Sequence, residues 1–282
     1  MTSSKEPYSG SIMLAICITC GTQFAETPRV PDRCPICDDA RQYVGIEGQQ
    51  WTNLAGLRRE HKIKIQDEEP GLISFSIEPK FGIGQRAFLV QTPSGNVLWD
   101  CISFLDEAAI ERIHRSGGLA AIAISHPHYY TCMVEWSRMF GNIPIYLHRD
   151  DQEHVMRPDE CIRLWDGETL ELPGGLKTIR CGGHFAGACV MHWPAGAEGQ
   201  GALLTGDTIQ VVPDRRFVSF MYSYPNYIPL NPAAVERIVA AVEPFAFDRI
   251  YGAFPGMTVR TKGNDTVRRS AKRYLQSIAN RA

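Results

Sequence analysis

Two histidines, His126 and His128, stand two residues apart in the stretch S-H-P-H-Y-Y-T. They closely follow the apolar run of residues 121–124, which is typical of a short buried strand. Because alternate residues of an extended segment share a face, both imidazoles can point at one ion. Neutral imidazole is a common ligand of zinc and iron. The spacing therefore predicts a metal site, or part of one, at the end of a strand.

Two more residues with ligand chemistry follow apolar runs later in the chain. His184 lies in the glycine-rich stretch C-G-G-H-F-A-G, and Asp207 lies in L-L-T-G-D-T. Both are expected to follow a strand and open a loop, and loops at strand ends are where functional sites are usually built. His184 and Asp207 are therefore candidates for the same site as the histidine pair.

Four cysteines near the N-terminus form two C-x-x-C pairs, Cys17 with Cys20 and Cys34 with Cys37. Each pair can form a tight turn that aims two thiolates at one point, and two such turns form a tetrahedral site for zinc or a single iron. The layout resembles a zinc ribbon, and the turns are similar to those of rubredoxins. So short a segment cannot bury its own core, which favours structural zinc that supplies folding energy over redox iron. The alternative is that these cysteines are merely buried or disulfide-bonded.

The composition is that of an ordinary globular protein. Of 282 residues 44% are hydrophobic and 21% charged, and the formal net charge is −2 with no long block of either sign. No nucleic-acid or acidic-membrane partner is predicted. The nine cysteines, an odd number with a paired C-x-x-C layout, suit a reducing compartment, and no secretory peptide is recognised. We therefore expect a cytoplasmic protein.

The elements that must position these residues begin at about residue 70. Residues 73–77 alternate with period two, and residues 86–91 and 97–101 predict a hairpin. Helices are predicted at 106–115, 133–140, 232–242 and 264–279, and further strands at 121–124, 144–147, 178–180, 188–193, 202–205 and 249–251. Strands and helices alternate only partly. The pattern predicts an α/β protein with two sheets covered by helices.

The order of these landmarks resembles the metallo-β-lactamase superfamily, whose pattern is an H-x-H-x-D-H loop, a histidine after a glycine turn, a Gly-Asp pair and a last histidine near the C-terminus. Here 56 residues separate His128 from His184, and 23 more lead to Asp207. Asp100 matches an acid that such proteins carry before their first helix. The resemblance implies a four-layer αββα sandwich over residues 51–282, with metal at one edge between the sheets, and a zinc-ribbon-like module over residues 1–50.

The sequence departs from the family pattern at the second metal position. Tyr130 and Thr131 stand where the loop should carry Asp and His, and residues 250–256 contain no histidine. The resemblance therefore implies that one zinc ion is held, by the residues that match the first metal site and the usual bridging acid. These are His126, His128, His184 and Asp207.

One zinc with an open position can activate water and polarise a carbonyl group, which predicts hydrolysis of a small ester, thioester, lactone or amide. Asp207 would take part in catalysis. Tyr130 could donate to an oxyanion or simply fill the vacated volume, and Tyr129 points the other way. His148 could act as a general base with a neighbouring aspartate.

Residues 217–227 are dense in aromatic side chains, which suits a wall for a small organic substrate. Tyr222, Tyr224 and Tyr227 are the candidate substrate-binding residues, together with Tyr129. The alternative is that this segment packs on the sandwich or forms a homodimer contact.

Two other functions remain open. His126, His184 and Asp207 could mimic the facial triad of a mononuclear Fe(II) dioxygenase, as in persulfide dioxygenases of the same superfamily. Iron is thus an alternative to zinc at either site. The protein could instead be a catalytically silent binding protein with a degenerate metal site.

Overall fold

The computed structural model describes residues 14–279, so residues 1–13 and 280–282 of the two predicted domains lie outside the described residues. The first of two large sheets has seven strands, which lie side by side in chain order. They are Lys62–Glu69, Leu72–Glu78, Arg86–Val90, Val97–Trp99, Ala121–Ala123, Ile145–His148 and Ile162–Trp165. The first four strands are antiparallel, and the last four are parallel to one another.

The second large sheet has six strands, again in chain order. They are Thr169–Glu171, Lys177–Arg180, Cys189–Trp193, Ala202–Leu204, Arg249–Tyr251 and Thr258–Val259. All neighbours are antiparallel except Ala202–Leu204 and Arg249–Tyr251, which are parallel. The helix Pro232–Val242 lies in the connection between these two strands, as a crossover between parallel strands requires.

Each strand divides its side chains between two cores. Phe88 and Val90 pack between the sheets with residues of the second sheet such as Met191 and Leu204. The intervening Leu89 packs on the opposite face of its sheet with residues of helices, including Trp136. This alternation follows from the period-two geometry of a strand, and it buries both faces of both sheets.

Helices cover the two outer faces, which gives four layers. Glu107–Arg115, Met133–Met139 and Leu54–Glu60 contribute to the core on the first sheet. Pro232–Val242 and Gly263–Ala279 contribute to the core on the second. The predicted α/β class and the αββα arrangement are confirmed.

Several elements were not predicted from the sequence, among them three strands of the large sheets, Ile162–Trp165, Thr169–Glu171 and Thr258–Val259. The helix Leu54–Glu60 and the strand Lys62–Glu69 precede the predicted start of the sheets. The strand lies at the edge of its sheet, and five of its eight residues are charged, so its hydrophobic signal is weak. Charged side chains are one way in which proteins prevent pairing at an exposed sheet edge.

Short elements complete the described chain. Three small sheets pair Ile16–Cys17 with Trp51–Thr52, Gln210–Val211 with Val218–Ser219, and Met221–Ser223 with Ile228–Pro229. Short helical turns occupy Pro35–Asp38, Pro127–Tyr129, Arg149–His154, Pro173–Gly175 and Gly196–Gly199. Within residues 14–279, no helix is long and apolar enough to cross a membrane.

Candidate active site

Three histidines and one aspartate meet at one edge of the sandwich. His126, His128, His184 and Asp207 each offer a ligand atom, and these atoms lie within 4.8 Å of one another. Asp207 Oδ2 lies 3.5 Å from His126 Nε2 and 4.0 Å from His128 Nδ1. His184 Nε2 lies 3.3 Å from His128 Nδ1. The four residues that the sequence assigned to one site are therefore neighbours, although up to 81 positions separate them along the chain (207 − 126).

Strand ends position all four residues. The histidine pair follows Ala121–Ala123 in the first sheet, with His128 inside the turn Pro127–Tyr129. His184 follows Lys177–Arg180, and Asp207 follows Ala202–Leu204, both in the second sheet. The site is thus assembled from the loops of both sheets.

Hydrogen bonds orient two of the imidazole rings. His184 Nδ1 lies 2.9 Å from the backbone oxygen of Tyr222 and 3.2 Å from that of Met221. Because a carbonyl oxygen only accepts, His184 Nδ1 must carry the proton, which leaves a lone pair on Nε2 facing the site. Ser125 Oγ lies 2.9 Å from His126 Nδ1 and orients that ring, although a hydroxyl can donate or accept and so does not fix its tautomer.

The protonation states fit a divalent cation. Burial lowers the pKa of His128 to about 4 and lowers that of His184 well below its ordinary value, so both rings are neutral at pH 7. Burial alone would raise the pKa of Asp207, but the imidazoles of His126 and His128 beside its carboxylate outweigh this effect, and the net pKa is lowered. The set therefore includes two neutral imidazoles, His128 and His184, and one carboxylate.

Three buried atoms of these four residues have no protein partner. His126 Nε2, His128 Nε2 and Asp207 Oδ1 make no hydrogen bond with any of residues 14–279. Buried polar atoms are nearly always paired, and a bound ion is one of the usual reasons for an exception. These orphaned atoms and the chemistry of the donor set fit a metal ion.

Other residues stand at the sequence positions where the family pattern has the ligands of a second metal. Tyr130 and Thr131 are buried, and Tyr129 packs its ring edge-on to His126 with a centroid separation of 5.2 Å. Phe254, in the loop where the pattern has its last histidine, lines the cavity at the site. Among the described residues, the only other group that could hold a metal is formed by the four N-terminal cysteines.

The cavity beside the ligands is small, with a volume of about 120 Å³. Pockets for drug-sized ligands measure about 300–1,000 Å³, so only a small molecule or the small end of a larger one fits. Its lining comprises Arg41, Gln42, Ile83, His128, His184, Asp207, Gln210, Tyr224, Pro225 and Phe254.

The three residues predicted to replace the second metal in catalysis or binding, Tyr129, Tyr130 and His148, lie outside this lining. Tyr129 and Tyr130 are buried in the core on the first sheet. His148 is turned away: its Nε2 lies 3.1 Å from the backbone oxygen of Gly167, and its Nδ1 accepts from the N–H of Asp150 at 3.2 Å. With both ring nitrogens bonded, His148 has no nitrogen available to a substrate.

The three tyrosines of the aromatic segment have different positions. Tyr224 lines the cavity, and its hydroxyl donates to the backbone oxygen of Asp207 at 2.9 Å. Tyr222 supports His184 through its backbone, whereas Tyr227 is 85% exposed and lines a different surface depression. Only Tyr224 of the predicted substrate-binding residues touches the cavity.

Six lining residues are not among the predicted site residues. Pro225 and Phe254 lie in segments that the sequence analysis discussed as parts of the site, and the other four do not. Ile83 and Gln210 come from the main body, and Gln210 follows Asp207 by three positions, which is the one sequence signal available for it. Arg41 and Gln42 come from the N-terminal module. No periodicity or motif marks them, because their position depends on how the module packs.

The four N-terminal cysteines form a second compact group. Cys17 Sγ lies 3.5 Å from Cys37 Sγ, and Cys20 Sγ lies 3.7 Å from Cys34 Sγ. A tetrahedron of sulfurs about 2.3 Å from a zinc ion has edges of about 3.8 Å, so these separations fit a zinc site. All nine cysteines of the chain are free.

Comparison with solved structures identifies the fold. The crystal structure of DIM-1 metallo-β-lactamase aligns with a TM-score of 0.57 and 13% identity over 77% of this chain and 100% of that one. The mono-zinc form of FIM-1 from Pseudomonas aeruginosa aligns with a TM-score of 0.56 and 16% identity, covering 78% and 97%. The fold is that of the metallo-β-lactamase superfamily, as the sequence resemblance predicted.

A close relative defines the family. The chain is 49% identical over 265 residues to the "Uncharacterized protein YmaE" of Bacillus subtilis (strain 168), covering 93% of this chain and 96% of YmaE. No protein-family model matches the sequence. The chain belongs to the same family as YmaE.

Proposed function

We propose that this protein is a metal-dependent hydrolase that uses one zinc ion to cleave a small ester, thioester, lactone or amide. The observation that carries the proposal is the convergence of four buried ligand atoms, within 4.8 Å of one another, beside a small cavity that three of the four residues line. The residues that would hold the zinc are His126, His128, His184 and Asp207.

A zinc ion bound there would supply Lewis acidity and lower the pKa of water to about 7. The residues of the chain supply orientation and a dry environment. Asp207 Oδ1 has no partner among residues 14–279, so it can accept a hydrogen bond from an attacking water. Tyr224 fixes the backbone of Asp207, and the apolar Ile83, Pro225 and Phe254 exclude bulk water and strengthen charge interactions.

We also propose that the four N-terminal cysteines hold a structural zinc. All four are buried, and within residues 14–279 they pack in a small apolar cluster with Phe24 and Ile36. So small a cluster contributes little burial of its own. Metal binding would therefore provide much of the folding free energy of this module.

The decisive experiment replaces His126 by alanine and measures bound metal together with hydrolysis of aryl ester, thioester and lactone panels. The wild-type chain should bind about two zinc ions and the variant one, because one of four ligands is lost. Hydrolysis should fall by at least about a hundredfold. His192→Ala is the matched control, because His192 bonds the backbone of Ala246 and lies outside the cavity lining.

Full activity in His126→Ala would refute the proposed mechanism. Iron at the histidine site, with thiol-dependent oxygen uptake, would support the dioxygenase instead. A metal-loaded protein that hydrolyses no compound of any panel would support the third function, a catalytically silent binding protein.

A further inference from the structure

The segment that follows the second C-x-x-C pair lies against the histidine site. Arg41 and Gln42 line the same cavity as His128, His184 and Asp207. The N-terminal module therefore contributes a wall to the cavity and does not merely extend from the sandwich.

Arg41 is held firmly in this position. Its Nε and Nη2 donate to the two carboxylate oxygens of Asp39, each at 2.6 Å. Its Nη1 donates to the backbone oxygen of His184 at 3.3 Å, and its guanidinium lies 3.8 Å from the centroid of the Phe185 ring. That ring in turn packs against the ring of His128 with a centroid separation of 4.9 Å. The Arg41 side chain is only 14% exposed.

The main body holds the segment from the other side. The side-chain amide of Asn226 donates to the backbone oxygens of Ala40 and Gln42, at 2.9 Å each. Two independent anchors, Asp39 and Asn226, thus fix Arg41 before any ligand arrives. Preorganised donors bind more strongly because less conformational entropy is lost on binding.

The unused donors of Arg41 define what it can recognise. A guanidinium carries five N–H groups, and three have partners, so two remain without a partner among residues 14–279. Arg41 is the one lysine or arginine in the cavity lining, where Ile83, Pro225 and Phe254 are apolar. Asp39 offsets part of its charge, so recognition would depend mainly on directed hydrogen bonds, which a planar carboxylate accepts best.

We propose that Arg41 binds a carboxylate group of the substrate, so that the N-terminal module is part of the active site and selects small organic acids. The proposal rests on the hydrolase function above, and it names the substrate class of that site. The small volume of the cavity and its single arginine favour a short acid carrying the scissile bond close to its carboxylate.

The test measures ligand binding by calorimetry on the zinc-loaded full chain, with succinate and its neutral diamide, succinamide, as probes. The wild-type chain should prefer succinate, and Arg41→Gln should reduce that preference roughly ten- to a hundredfold, since hydrogen bonds to charged groups are lost. Binding of succinamide should stay unchanged. Arg41→Lys should restore part of the preference, because lysine keeps the positive charge but lacks the planar pair of N–H donors that binds both carboxylate oxygens.

Arg33→Gln is the matched control: it removes an arginine of the same module that is 77% exposed and paired with Asp38, outside the cavity lining. An unchanged preference in Arg41→Gln, or no preference in the wild-type chain, overturns the proposal. Metal content is measured for each variant. If Arg41→Gln loses the metal of the histidine site, the test uses Arg41→Lys instead. A preference of Arg41→Lys for succinate equal to that of the wild type then refutes the binding of a carboxylate by the Arg41 guanidinium.

Because the binding measurement requires no turnover, it tests the role of Arg41 independently of the hydrolase function. Absence of a succinate preference in a chain whose hydrolysis depends on His126 refutes only the role of Arg41. An Arg41-dependent preference in a chain that hydrolyses nothing refutes only the hydrolase.

Discussion

Ser125 supports the candidate metal site although it is not one of the four candidate ligands. Its Oγ meets His126 Nδ1 at 2.9 Å, and its N–H donates to Asp100 Oδ1 at 2.7 Å. Asp100 is fully buried and adopts a left-handed backbone conformation with φ 65°. Burial raises the pKa of this carboxyl group to about 8. Ser125 thus links a buried acid to the first histidine ligand.

We expect Ser125→Ala to weaken zinc binding at the histidine site roughly ten- to a hundredfold, because partners of ligating histidines typically contribute this much. Competition with a chromophoric chelator measures the affinity. Ser277→Ala, at an exposed helical serine that bonds only the backbone of its own helix, serves as the control. Equal affinities in Ser125→Ala and the wild type would contradict this role.

At the scale of the elements, the turn after Ala202–Leu204 brings Asp207 close to the histidine loop. Gly206 has φ 49°, and a Cβ atom at this position would lie 2.7 Å from Ser125 Oγ. Glycine is required here both for the left-handed conformation and for the close approach of the two loops.

Gly206→Ala should therefore displace Ser125 or Asp207 and reduce zinc affinity at the histidine site by about tenfold or more. Gly256→Ala is the matched control, because Gly256 also has a positive φ of 76° but a Cβ atom there would meet nothing within 4 Å. Both variants should lose roughly 1 kcal/mol of folding stability from backbone strain. The proposed close approach would be refuted if both variants bound zinc like the wild type.

Sequence patterns predicted most elements because buried strands and amphipathic helices have strong periodicities. Pro232–Val242 and Arg249–Tyr251 have the predicted bounds. The polar edge strand Lys62–Glu69 has no such signal. The ligand set could be proposed because the H-x-H pair, His184 in its glycine-rich loop and the Gly-Asp pair follow predicted strands in the order of the metallo-β-lactamase pattern. Side-chain direction could not be predicted: His148 ends a strand near the site, yet its ring bonds the backbone of Gly167. The position of Arg41 could not be predicted from the sequence, because only the packing of two distant segments brings it to the cavity.

At the scale of the whole molecule, two candidate metal sites are joined through a short path. The four-cysteine group leads directly into Asp39 and Arg41, and Arg41 donates to the backbone oxygen of the ligand His184. The arrangement predicts that the state of the cysteine site affects the histidine site.

Metal removal tests the two sites in turn. A mild chelator should remove zinc first from the histidine site, which borders a cavity, while the buried cysteine site should retain its zinc until the module unfolds. Zinc content against chelator concentration should therefore fall in two steps. A single step releasing both ions would contradict this difference.

Cys34→Ala should remove the zinc of the cysteine site and also weaken zinc binding at the histidine site severalfold, since Arg41 loses its support. Cys161→Ala, at a buried cysteine outside both groups, is the control for loss of a thiol. Chelator competition at the histidine site measures the effect. An unchanged affinity in Cys34→Ala would show that the two sites are independent.

The amide of Asn226 reaches back to carbonyl groups 186 and 184 positions earlier in the chain. The N-terminal segment therefore cannot be exchanged between relatives independently of the residue at position 226. A chimera with the N-terminal segment of another protein also needs a compatible residue at position 226. Without it, the arginine at position 41 would lie beside the histidines without the support of these two hydrogen bonds.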